Sequence, residues 1–134
     1  MSIGDGEIKA HRAVCGILAQ LPERTEPISN AQFMQAMRDI KKRNPELFPG
    51  MVFSDNASNC WSTVLEQALF TMGVSGCLHR SPVDMRWYLR PNLRDEFNRV
   101  YAWHFTMAEL VIIEKEGSTL AKRIANHELA PTRH

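Results

Sequence analysis

Three things are scarce in this chain of 134 residues: paired cysteines, long apolar runs and a surplus of charge of either sign. There are 3 cysteines, Cys15, Cys60 and Cys77, an odd number with no Cys-x-x-Cys spacing. That excludes a disulfide framework and a zinc knuckle, and it fits free or buried thiols in a reducing compartment. The apolar run "LVII" is far too short to cross a bilayer, so no membrane span is expected. The opening "MSIGDGEIKAHRAVCG" carries charges where a secretory leader has its apolar stretch, so the expected location is cytoplasmic. Lys and Arg number 16 against 15 Asp and Glu, a net charge of +1. No global field therefore draws nucleic acid, membranes or acidic partners, and any basic preference must be local.

Catalytic signatures are missing as well. "GVSGC" around Ser75 is not G-x-S-x-G, because the second glycine follows the serine directly. No H-E-x-x-H and no phosphate-cradling glycine loop occurs, and Asp95 and Glu96 are adjacent on a helix and splay apart. Cys77 and His79, alternate residues of one strand, share a face without a third orienting group, so Cys77 reads as a core residue. No catalytic residue, metal or cofactor is expected.

What is present is 44% hydrophobic residues, enough for a core in a single domain spanning 1–134. Helix one is predicted from Asp5 to Gln20, with Ile8, Cys15 and Leu18 on one face. Helix two opens on a capping box of Ser29 and Gln32 and buries Phe33, Met37 and Ile40. Its last turn holds Lys41, Lys42 and Arg43, where cations favour the helix dipole, and Asn44-Pro45 stops it. In the connection that follows, "MVF" reads as a short strand. Helix three is predicted from Ser58 to Met72, with Trp61, Val64, Leu65, Ala68, Leu69 and Met72 on its apolar face. Gly73 and Gly76 end it. "CLHR" and "RWYLR" then form a hairpin around "SPVDM".

Helix four is predicted from Asn92 to Glu116, with Gly117 as its C-cap and a short last helix from Ser118 to Leu129. Leu93, Phe97, Val100, Tyr101, His104, Ala108, Val111 and Ile112 form one stripe, with His104 a buried histidine. The run from Val100 to Ile113 leaves so little polar surface that a second copy is expected to cover it, making a homodimer through Val100, Trp103, Met107 and Leu110. The tail "APTRH" is expected to fray.

The passage "LEQALFTMGVSGCLHR" and the returning strand "MRWYLRP", after two earlier helices, resemble the winged-helix family. Leu65, Ala68, Leu69, Gly76, Cys77 and Leu78 occupy the helix-to-wing positions. The resemblance covers about half the chain and implies an α+β, mostly helical fold. Its parts are a three-helix core within 5–90, a two-stranded β-hairpin, and C-terminal helices over 92–129. In that family the third helix enters the major groove and the hairpin touches the flanking backbone, so the resemblance implies a DNA-associated regulator. Thr63 and Gln67 on helix three, Arg80, Arg86, Tyr88, Arg90 and Arg94 on and after the hairpin, and Lys41, Lys42 and Arg43 are then the candidate contacts.

The residues also support a different reading. Helix three has no Lys or Arg and carries the acidic Glu66, although phosphate neutralisation supplies most nucleic-acid affinity. Phe70 lies off its core stripe, and an exposed Phe among polar residues suits a protein partner. DNA and a protein partner both remain open from the sequence.

Overall fold

A computed structural model describes residues 5–55 and 60–129. They form a mostly helical α+β fold with five α-helices and two small antiparallel two-stranded sheets. The expected frayed tail, 130–134, lies outside the described residues.

Helix α1 (Asp5–Ala19) is the axis of the molecule. Residues 13–19, "AVCGILA", are buried on every side. Small side chains let neighbours pack close on all faces: α3, α5, α4 and the segment after α4 all contact α1. An added Cβ at Gly16 would sit 2.6 Å from the Phe97 ring and 3.0 Å from Ile113 Cγ2. A helical segment apolar all round is therefore present, but it is the second half of the first helix rather than the expected helix four.

Helix α2 (Asn30–Arg43) forms as its signals dictate. Ser29 Oγ accepts from the Gln32 amide at 3.1 Å, and the Ser29 amide donates to Gln32 Oε1 at 3.0 Å. Phe33, Met34, Ala36, Met37 and Ile40 are buried. The connection to the next helix makes a one-turn 3₁₀ helix at Pro45–Leu47, then β1 (Ser54–Asp55) paired with β2 (Cys60–Trp61). Thus "MVF" is not a strand: Met51 drops into the core, and Val52 is exposed. Helix α3 runs Thr63–Val74. The expected start at Ser58 lies outside the described residues, and Trp61 belongs to β2, because Ser62 caps the helix by accepting from the Leu65 amide at 3.2 Å. The remaining stripe, Val64, Leu65, Ala68, Leu69 and Met72, is buried as the periodicity requires.

Gly76, at a left-handed φ of 83°, turns the chain into the hairpin β3 (Leu78–Arg80) and β4 (Trp87–Leu89). The register pairs Leu78 with Leu89, His79 with Tyr88 and Arg80 with Trp87. Ile28, between α1 and α2, forms an isolated antiparallel bridge to Trp87, donating at 2.9 Å and accepting at 2.8 Å. Cys77 is buried and His79 exposed, so the two do not share a face. The reason is local: the Cys77 amide still donates to Met72 O at the end of α3, and strand alternation begins only at Leu78.

The single long helix expected over Asn92–Glu116 is broken. Helix α4 (Leu93–Glu96) passes into a π-helical turn at Phe97–Tyr101 and a 3₁₀ turn at Ala102–His104. Phe105 adopts an extended conformation and is buried. Helix α5 then starts afresh at Met107 and runs to Ala125. Thr106 and Glu109 form its capping box, with the Thr106 hydroxyl accepting at 3.1 Å and the Glu109 side chain accepting at 2.9 Å. Gly117 is not a C-cap but lies inside α5, buried against Ile17 of α1 and Gln20 just beyond its end. The break rotates the stripe, so His104 is exposed rather than buried and stacks on Trp103 with ring centroids 3.8 Å apart. No helix among the described residues is long and apolar enough to cross a membrane.

Candidate functional site

The outward face of α3 and the adjoining hairpin enclose an open groove of about 860 Å³. It arises because α3 packs Val64, Leu65, Ala68, Leu69 and Met72 inward, which turns Glu66, Gln67, Phe70, Thr71 and Val74 outward. Phe70 is 68% exposed and Val74 73% exposed, large apolar surfaces with nothing over them. The facing wall is β3, with Leu78 buried and His79 and Arg80 exposed. Trp87 lies between the walls. Its indole Nε1 donates to Asn30 Oδ1 at 2.6 Å, and the Arg80 guanidinium stands 5.8 Å from its ring centroid. The strand thus resolves its two aromatics as alternation requires, with Trp87 buried and Tyr88 exposed.

Of the residues singled out from the sequence, the groove gathers Gln67, Phe70 and Arg80. Thr63 is exposed on the first turn of α3 and does not line it. Tyr88 points to the opposite face of the hairpin, where its hydroxyl donates to Asp84 Oδ2 at 2.7 Å. That bond holds the Asp84 carboxyl below its ordinary range and raises the Tyr88 phenol. Arg86 lies in a separate cleft with Gln32, Ile124 and His127, and Arg90 lies beside the end of α1.

Three of the candidate cations are engaged in holding the fold together. Arg94 Nε donates to Ala19 O at 2.9 Å and Nη2 to Gln20 O at 3.4 Å, closing the C-terminal end of α1. Lys41 donates to the Met51 carbonyl. Arg43 makes a two-pronged pair with the buried Glu116 of α5, Nη2 to Oε1 at 2.7 Å and Nε to Oε2 at 3.0 Å. Lys42 is exposed. The exposed cations Lys42, Arg80, Arg86 and Arg90 therefore sit on several parts of the molecule, and only Arg80 borders α3.

A smaller pocket of about 210 Å³ between α1 and α3 collects His11, Cys15, Thr71 and Tyr101. Burial, reinforced by Cys77 and Glu96, pushes the Cys15 thiol up to about 12, so it stays protonated and is a poor nucleophile. Burial also lowers His11, against opposing contributions from Glu7 and the Val64 backbone, which favours its neutral form. Among the described residues no group of three or more His, Cys, Asp or Glu is arranged to hold a metal ion.

Sequence reasoning missed Val74, His79 and Trp87 as parts of one groove, and Asn30 as the partner of Trp87. Val74 lies beyond the helix end expected at Met72. Asn30 meets the hairpin only through the Ile28 bridge, for which the polar loop "PERTEP" carries no signal.

No family model matches the chain, and no curated protein or solved structure matches it.

Proposed function

We propose that this chain is a non-catalytic binding protein of winged-helix-like arrangement, and that the groove between α3 and the hairpin receives a segment of a partner protein. One observation carries the reading: Phe70 and Val74 stand exposed over the groove on a helix with no Lys or Arg. Exposed apolar surface beside polar residues marks a protein interface, whereas a phosphate-facing helix needs cations. The order helix, bridge, helix, helix, hairpin supports the winged-helix-like part. The odd number of cysteines, with no Cys-x-x-Cys spacing, supports a reducing, cytoplasmic setting.

A DNA-associated regulator is the competing reading, resting on the exposed Lys42, Arg80, Arg86 and Arg90. Two measurements separate them. A displayed library of random dodecapeptides is selected on the immobilised protein and counter-screened on Phe70→Asp, and fluorescence anisotropy follows a mixed-sequence duplex at low and physiological salt. The expected result is enriched peptides that lose binding on Phe70→Asp, and no duplex binding. Duplex binding that weakens steeply with salt, with no Phe70-dependent peptide, is the result that reverses the order.

A separate observation favours self-association. Trp103 and Met107 are 73% and 77% exposed, with Val111 exposed one turn further along α5 and Val100 and Leu110 half-buried beside them. We propose that this surface pairs two copies of the chain.

A further inference from the structure

We infer that the groove takes an extended, acid-bearing segment of its partner, joined to the free edge of β3 at Arg80. The inference rests on the protein-binding reading of the groove and specifies what that partner presents.

The hydrogen-bond register supplies the first argument. Opposed residues in an antiparallel pair alternate between those that exchange main-chain bonds and those whose N–H and C=O point away from each other. The N–H and C=O of Trp87 are both taken by Ile28, on the side of β4 away from β3. Arg80 is the residue opposite Trp87, so its own N–H and C=O point out of the other edge of the hairpin. The neighbouring bonds agree: Ser81 N–H donates to Arg86 O at 3.0 Å, and Arg90 N–H to Cys77 O at 3.0 Å. Those two main-chain groups of Arg80 have no partner among the described residues, and Arg80 is exposed. The outer edge of β4 is thus closed by one bridge at Trp87, and the outer edge of β3 lacks the matching bridge at Arg80.

An extended segment presents an N–H and a C=O together and can form that bridge. A helix has committed most of its main-chain groups to itself and cannot. Leu78, the next residue with the same outward register, is buried. The bridge therefore centres on Arg80, and the segment passes from there along the groove, where side chains alternate between the Phe70–Val74 wall and solvent.

Charge supplies the second argument. The β3 wall carries Arg80, which makes no ion pair among the described residues; its Nε donates to the Met85 carbonyl at 3.3 Å and its guanidinium lies over the Trp87 ring. The α3 wall carries Glu66 and no cation. The bridging residue stands on the same face as Arg80, so a carboxylate on that residue is matched by Arg80, and apolar side chains two and four residues further along the same face meet Phe70 and Val74.

The test uses two synthetic decapeptides, one with Thr at every second position and a single Glu among Val at the others, and one with Leu and Glu at helical spacing. The alternating peptide is expected to bind and the helical one not. N-methylation of its threonine nitrogens and of its valine and glutamate nitrogens should give opposite results, because only one set faces β3. Arg80→Glu should weaken binding by about tenfold or more, and the same peptide with Lys in place of Glu should bind that variant instead. Equal effects of the two methylations, or no effect of Arg80→Glu, overturn the inference. Phe70-dependent binding of the helical peptide alone leaves the protein-binding reading standing and removes the extended occupant. If neither synthetic peptide binds while the displayed library yields Phe70-dependent binders, the inference falls and the groove reading survives. If the library is empty too, both fall.

Discussion

Glu116 is a carboxylate with almost no solvent exposure, on the inner face of α5. It is held by three donors: Arg43 Nη2, Arg43 Nε, and Asn44 Nδ2 at 2.6 Å. Burial alone pushes its pKa up. The hydrogen bonds from Arg43 and Asn44, with the Arg43 charge, outweigh that and leave it below the ordinary value of 4.5. A folded-state pKa below the unfolded one stabilises the protein fully above the unfolded value, and that contribution disappears as pH falls through the folded one. Glu116→Gln keeps the shape and loses the charge, so it should cost about 2 kcal/mol at neutral pH, in line with hydrogen bonds to charged groups. Thermal melts of both proteins from pH 7 downward should show a constant gap that narrows below 4.5. A gap that stays constant into strong acid would mean that the charge of Glu116 contributes nothing. At this scale the sequence was legible wherever the cause was local: the Ser29–Gln32 box and the split between Trp87 and Tyr88 both follow from spacing. "KKR" reads as a helix C-terminus doing dipole work, and Arg43 is indeed in the last turn of α2, but its partner lies on α5 and no local pattern announces it.

Between elements, the decisive contact is α1 against α5. An added Cβ at Gly117 would lie 2.4 Å from Gln20 Cβ and 2.9 Å from Ile17 O, both shorter than real contacts allow. Replacing an interior helical glycine by alanine should by propensity alone stabilise α5 by roughly 1 kcal/mol. Here the backbone carbonyl of α1 stands in the way, and overpacking a fitted core costs about 1–3 kcal/mol. The two effects oppose each other, so Gly117→Ala is expected to lower stability by about 1 kcal/mol, read as a fall in the urea midpoint at unchanged slope. A rise in the midpoint would place α5 further from α1 than the structure does. From the sequence Gly117 reads as a helix end, because the reason for this glycine lies on a different helix. The break at Phe105 has a local signal: Thr106 and Glu109 have the T-x-x-E spacing of a capping box, as plain as the box that opens α2. Likewise the unbroken "AVCGILA" of α1 was a clearer sign of a helix buried on every side than the aromatic-rich run around Trp103, since small residues admit neighbours on all faces.

Across the whole molecule, a net charge of +1 supplies neither attraction to a polyanion nor repulsion between copies, so association is decided by apolar surface. Among the exposed apolar side chains are two such surfaces, Phe70 with Val74 on α3, and Trp103 with Met107 and Val111 beside and along α5. The second was expected to come from a continuous helix; it comes instead from the break at Phe105, which sends Phe105 and Ile113 into the core and leaves Trp103, Met107 and Val111 outside. A twofold pair of chains meeting there would bury each of those side chains against its counterpart, the isologous arrangement of most small dimers. The expected outcome is a dimer by light scattering in the micromolar range, with Trp103 emission shifting to the blue as concentration rises. Trp103→Ser combined with Met107→Ser should give a monomer whose melting point matches that of the wild-type monomer, because neither side chain contributes to the core of a single chain. A wild-type chain that stays monomeric at high micromolar concentration ends the dimer proposal and leaves the Trp103 surface for a different partner, while the α3 groove, on separate residues, keeps its own test.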